Sequence, residues 1–122
     1  MSQNNVDIAE AYYKAMEEKD MERLEKYLHP DVIFIGPLAR VEGKDAVLAA
    51  AKGFSSFLKN IIIRSKFSSE TQAMLAYDMD CPEPIGLFRA ATLMTFQKDL
   101  ITKLELFYDA SPFEKKKEEI FS

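Results

Sequence analysis

The 122 residues contain one cysteine, one histidine and no tryptophan. Cys81 alone cannot close a disulfide, so the chain must hold itself together by packing. With no base near it in sequence, Cys81 reads as an inert thiol. His29 is followed by Pro30 at the end of a helical pattern, where a cap or surface role suits it better than catalysis. A single imidazole without a ligand cluster argues against zinc. The four glycines form no phosphate-binding loop and no dinucleotide fingerprint, and no serine sits in a nucleophile elbow. The residues therefore call for neither a metal nor an organic cofactor. A net charge of -4 leaves no basic excess for nucleic acid. No apolar run approaches the roughly 18 residues of a membrane span. The polar start Met1-Ser2-Gln3-Asn4-Asn5 lacks the basic and apolar segments of a secretory leader. These absences give the expectation of a cytoplasmic protein with neither a membrane nor a nucleic acid as partner.

What is present is ordinary in amount and informative in order. The hydrophobic fraction is 48% and the charged fraction 30%, and the length suits one domain, 1–122, with a real core. Ile8, Tyr12, Ala15 and Met16 mark one face of a first helix. Asp20 suits the cap of a short second helix bearing Met21, Leu24, Tyr27 and Leu28. His29-Pro30 should end it, because the residue before proline is driven out of the helical region. Val32 to Ile35 then reads as a buried strand, Gly36-Pro37 as its stop, and Arg40-Val41 as a short return strand. Glu42-Gly43 turns the chain into a third helix with Asp45 at its start and Val47, Ala50, Ala51, Phe54 and Leu58 on one side.

After Phe57 the period changes to that of strands. Asn60 to Ser69, Thr71 to Asp80, Leu87 to Gln97 and Leu100 to Asp109 follow in turn. They are joined by short turns and by the loop Cys81-Pro82-Glu83-Pro84-Ile85-Gly86, which requires antiparallel pairing. The fold class is α+β: helices first, then a strongly curved, mostly antiparallel sheet. Neither face of that sheet is cleanly polar, so a second copy of the chain is expected to cover the side away from the helices. The charged tail after Ser111, with Lys115-Lys116-Lys117-Glu118-Glu119, reads as a solvated run or a short helix and is given no chemistry.

The order of these pieces resembles the nuclear transport factor 2-like superfamily, in its SnoaL-like branch of polyketide-cyclase relatives. The resemblance covers about 6–110. It is carried by a tyrosine-bearing first helix, Leu28-His29-Pro30-Asp31 before a strand, Val41-Glu42-Gly43-Lys44-Asp45-Ala46 before a helix, and Ile101 to Asp109 as a closing strand. It implies a cone in which the sheet wraps the helices around a pocket. It also implies which strand faces turn inward: Met74, Ala76, Asp78 and Asp80; Phe88 to Phe96 in alternation; and Leu104, Leu106 and Tyr108. Steroid Δ-isomerases of this superfamily place a catalytic tyrosine eight positions before an aspartate, and Tyr12 stands at that spacing from Asp20. Their base before a proline is replaced here by Gly36, and their second acidic donor falls near Thr92. That isomerase chemistry is therefore not expected.

The candidate site follows from this frame. Asp78, if inward, would be a carboxylate among Phe34, Met74, Thr92, Leu106 and Tyr12, with a pKa raised by desolvation and suited to acid-base work. If outward, it is a surface carboxylate or a partner of a backbone amide. Asp80 is either a rim carboxylate or solvated. Tyr12 and Tyr108 are either hydrogen-bonding groups of the pocket or core residues with hydroxyls at the edge. Asp78 and Tyr12 are the catalytic candidates, and Phe34, Thr92, Leu106, Tyr108, Met74 and Asp80 the binding candidates. The expected function is binding of a small apolar organic molecule, with cofactor-free cyclase, isomerase or hydratase chemistry if there is catalysis. The alternative is a non-catalytic ligand-binding or protein-interaction module that works through the sheet surface.

Overall fold

A computed structural model describes residues 4–83 and 85–109; the tail beyond Ser111, to which the sequence assigned a charge run, lies outside them. The chain runs α1 (Asn5–Glu17), α2 (Met21–Glu25), β1 (Leu28–Ile35), β2 (Arg40–Glu42), α3 (Lys44–Phe57), β3 (Asn60–Ser68), β4 (Gln72–Asp80), β5 (Leu87–Gln97) and β6 (Leu100–Tyr108). One six-stranded sheet has the order β2-β1-β6-β5-β4-β3. Every neighbouring pair is antiparallel except β1 and β6, which run parallel. Irregularities at Ile63/Ser65, Thr95/Phe96 and Leu28/Ile33 break the register, as bulges do when they bend a sheet. The sheet curves around the helices, which lie on its inner face.

The helix ends obey local chemistry. The Asn4 side chain accepts from Val6 N–H, and Asp20 accepts from Arg23 N–H at 3.1 Å. Gly43 starts α3 at φ +95°, where a side chain would be strained, and its N–H binds Val32 O at 2.8 Å. Lys19 ties the helices together: its ammonium donates to Ser55 O and, at 2.9 Å, to Leu58 O, carbonyls at the C-terminal end of α3. On the other side of α1, the Glu17 carboxylate accepts from Ile61 N–H at 2.8 Å, fixing the helix to β3. The second helix is shorter than the sequence suggested, and Leu28 to Asp31 belong to β1. Leu28 N-terminal to the proline pairs with Ile101 of β6, so a tertiary partner takes it from the helix.

The inner face of the sheet is the core. It consists of Ala73, Leu75, Tyr77 and Met79 on β4, Ala90, Thr92, Met94 and Phe96 on β5, and Ile101 and Leu104 on β6. They pack against Ile8, Ala9, Tyr12, Tyr13, Ala15 and Met16 of α1 and Val47 and Ala51 of α3. The inward faces of β5 and β6 are those the sequence indicated. The inward face of β4 is the opposite one. Tyr77 lies across from Ala90 and Met79 from Phe88, and directly paired residues share a face, so Met74, Ala76, Asp78 and Asp80 turn outward. The cause is the hairpin connection: its length sets the parity of β4 against β5, and one position in that parity exchanges the two faces of the strand.

Candidate functional site

A partly enclosed cavity of about 70 Å³ lies between the inner face of the sheet, α1 and α3. One water needs roughly 10–15 Å³ on such a measure, so the space suits a small organic molecule. Its floor is buried: Tyr12, Tyr13 and Met16 from α1, Val47 and Ala51 from α3, Tyr77 and Met79 from β4, and Leu104 from β6. Its rim is half-buried and includes Phe34, Val41, Phe54, Phe88, Leu106 and Tyr108. Phe88 and Tyr108 sit with ring centroids 5.8 Å apart on neighbouring strands. Among the described residues, no carboxylate, imidazole, amine or guanidinium lines the space. Nor do three acidic, histidine or cysteine side chains converge among them to hold a metal ion.

The polar side chains lining the cavity among the described residues are Tyr12, Tyr13, Tyr77 and Tyr108, and the three buried ones fall into two kinds. Tyr13, Tyr77 and Thr92 close a buried ring. Tyr77 donates to Tyr13 at 2.9 Å, the Tyr13 and Thr92 oxygens are 2.5 Å apart, and those of Tyr77 and Thr92 are 2.6 Å apart. If each hydroxyl donates to the next, all three protons are used inside the ring. Tyr12 is different. Its ring stands edge-on to that of Tyr13 at 5.2 Å, yet its hydroxyl makes no hydrogen bond among the described residues. No buried side-chain oxygen or nitrogen among them lacks a partner, so the Tyr12 oxygen must touch the open cavity. The residue is 3% exposed. Burial, followed by the neighbouring Tyr13, lifts the Tyr12 phenol well above its ordinary range. Burial likewise raises Tyr13 and Tyr77, with the Thr92 hydrogen bond pulling the other way. Tyr108 is raised by burial alone. At neutral pH the cavity therefore presents neutral phenols, which donate hydrogen bonds and do not take up protons.

The structure brings together Tyr12, Phe34, Leu106 and Tyr108 as the sequence arranged them. Thr92 points inward and is buried, but serves the hydroxyl ring behind the cavity wall. Asp78, Asp80 and Met74 stand on the outer face, away from the cavity, for the parity reason given above. Asp78 sits beside Arg64, with 3.3 Å between Arg64 Nη1 and its Oδ2, as a surface ion pair. The residues missed by the sequence reading are Tyr13 and Tyr77. Both carried a signal. Ala9 and Tyr13, spaced one turn apart, widen the apolar stripe of α1, and Tyr77 lies on the face of β4 that has no acidic residue.

The comparisons agree with this architecture. The family model of the SnoaL-like domain matches residues 9–104. A solved protein from Kribbella flavida DSM 17836 is 29% identical over 93% of each chain, with a TM-score of 0.85. An NTF2-like protein from Cytophaga hutchinsonii ATCC 33406 is 19% identical over 93% of this chain and 96% of its own, with a TM-score of 0.80. A steroid delta-isomerase from Pseudomonas aeruginosa is 17% identical over 98% of this chain and 90% of its own, with a TM-score of 0.79. At such identities the last two show the fold alone. No curated protein matches the chain.

Proposed function

The chain belongs to the SnoaL-like domain family, and from that premise we propose that its cavity binds a small, uncharged, mostly hydrocarbon molecule carrying one oxygen. The observation that carries this reading is the Tyr12 hydroxyl, buried against the cavity and without a protein partner among the described residues. A ligand oxygen placed there accepts the phenol proton, while the surrounding hydrocarbon rewards the rest of the molecule for leaving water. A carboxylate or ammonium on the ligand would meet no counter-charge among the described lining residues and would lose its hydration. The lining also favours binding over acid-base catalysis, because Asp78 lies on the outer face and the titratable groups lining the cavity among the described residues are phenols with raised pKa values. The test compares cyclohexanone with methylenecyclohexane, which keeps the shape and removes the acceptor. The ketone should bind more tightly, by up to about tenfold for one neutral hydrogen bond. Equal affinity, or no binding of either, overturns the reading.

We infer further that a second copy of the chain covers the outer face of the sheet. Among the described residues, Ile62, Phe67, Met74, Leu87 and Phe107 are the exposed large hydrophobics, and register puts all five on that face. Arg64, Asp78, Lys103 and Glu105 are interspersed among them in both signs, which suits a face meeting its own copy. Sedimentation should report a dimer that Phe67→Glu dissociates. A monomer at micromolar concentration contradicts it.

A further inference from the structure

Gly36 ends β1 on the inner side of the sheet, two residues after Phe34, and it differs from the other loop glycines in what it is for. Gly43 and Gly86 have φ values of +95° and +65°, so their conformations need glycine. A Cβ on Gly43 would have nothing within 4 Å. Gly36 has no positive φ. A Cβ built on it would instead stand 3.1 Å from Cε1 and 3.2 Å from Cζ of the Phe34 ring. The ring edge therefore stands a few tenths of an ångström too close for a side chain at position 36 to be added without moving it. Phe34 is held between Val41 on β2 and Leu104 on β6, and all three line the cavity. The backbone at Gly36 is fixed too, with its N–H on Ala39 O at 2.9 Å. The contact is with the far end of a side chain, so the ring gives way before the backbone does.

We infer that Gly36 is a size-selecting position of the pocket: by carrying no side chain it seats the Phe34 ring at the rim and keeps the cavity open. This rests on the reading of the cavity as a ligand site. A methyl group at position 36 pushes the ring edge back by a few tenths of an ångström, and flanked by Val41 and Leu104 the ring has the cavity to move into. The space then shortens for large ligands first and for small ones last. Gly36 needs no special backbone conformation, so Gly36→Ala is expected to fold.

The experiment measures affinities of cyclopentanone, cyclohexanone and cycloheptanone for the parent, Gly36→Ala, Phe34→Leu and the double variant, together with the Phe34 ring resonances by NMR. Gly36→Ala should leave cyclopentanone nearly unchanged and weaken the larger rings by about tenfold or more, the scale of one unaccommodated methylene. Phe34→Leu in the Gly36→Ala background should restore the larger rings, so the two changes should not add. The Phe34 resonances should shift in Gly36→Ala. Equal weakening across the series, or strict additivity, overturns the inference. If the parent binds no ketone, the ligand reading fails by itself. The ring resonances then decide the Gly36 inference: unchanged in Gly36→Ala, they overturn it; shifted, they uphold the seating.

Discussion

Tyr77 and Asp78 are adjacent in β4 and live in different media. Tyr77 is 1% exposed, and its hydroxyl belongs to a closed ring of three with Tyr13 and Thr92. Asp78 faces outward among exposed apolar residues and shares an ion pair with Arg64, whose side chain is 57% exposed. The same contrast runs across the whole sheet. The inner face holds the core and the cavity, and charge reaches it at its β3 edge, where Lys66 meets Glu10 of α1 at 2.9 Å. The outer face holds the Arg64–Asp78 and Lys103–Glu105 pairs and every exposed large hydrophobic among the described residues. Energy on the inner face comes from burial at about 25 cal/mol per Å² and from hydrogen bonds that water cannot replace. On the outer face water screens the charges, and a surface pair is worth about 0–1 kcal/mol. Stability therefore belongs chiefly to one side of the sheet; the proposed ligand site lies on that side and the proposed association surface on the other.

The sharpest way to break this contrast is to shorten neighbouring side chains on opposite faces. Leu75→Ala removes a fully buried side chain and should cost about 2–5 kcal/mol in urea unfolding. Met74→Ala, next to it and 36% exposed, should cost less than about 1 kcal/mol in the monomer. Equal losses would mean that the two faces are not distinguished by burial.

Alkaline titration sharpens it next. The folded state raises the phenols of Tyr12, Tyr13 and Tyr77 above their ordinary 10.0, and burial followed by the Asp80 charge pushes the Cys81 thiol from 9.0 up to about 11. A raised pKa means that the folded state keeps protons the unfolded chain has lost. Stability from these groups is thus whole below the unfolded values and falls as pH climbs past them. Unfolding free energy should begin to fall above about pH 9, through Cys81, and fall more steeply above 10 as the three tyrosines join. Cys81→Ala should remove the earlier part of the decline. A profile that stays flat through this range would contradict the burial of the hydroxyl ring.

A smaller effect separates the polar groups of the two faces. Thr92→Val takes one member from the ring, leaves Tyr13 and Tyr77 with fewer partners, and should cost about 1–3 kcal/mol. Asp78→Asn loses only the exposed pair and should cost about 0–1 kcal/mol, without changing ketone affinity. Loss of ketone binding in Asp78→Asn would return that carboxylate to the site.

How far the sequence reaches can be judged from the same strand. The helix-then-strand order, the corner at Gly36-Pro37 and the inward alternation from Phe88 to Phe96 are visible in period and turn chemistry, and the structure carries them. Tyr12, Phe34, Leu106 and Tyr108 reach the cavity from three separate elements, α1, β1 and β6, because each lies on an apolar face whose direction the pattern defines. Alternation alone does not decide the inward face of β4, because both of its faces contain apolar residues; the plainer signal is that Asp78 and Asp80 share the outward one. The hydroxyl ring was not legible, since it needs Tyr13, Tyr77 and Thr92 to meet from α1, β4 and β5. The parallel pairing of β1 with β6 likewise follows only from closure of the sheet. The seat of Phe34 on Gly36 was hidden behind the glycine's usual role in turns.

The central claim is that the Tyr12 hydroxyl, free of protein partners among the described residues, is kept for a ligand oxygen. The most direct measurement is the affinity of cyclohexanone and of methylenecyclohexane for Tyr12→Phe beside the parent, with unfolding free energy recorded for both. The account gives stability unchanged within about 0.5 kcal/mol, because no protein hydrogen bond is lost, and a preference for the ketone that disappears. A Tyr12→Phe variant that keeps the ketone preference, or that loses stability as Thr92→Val does, would contradict it.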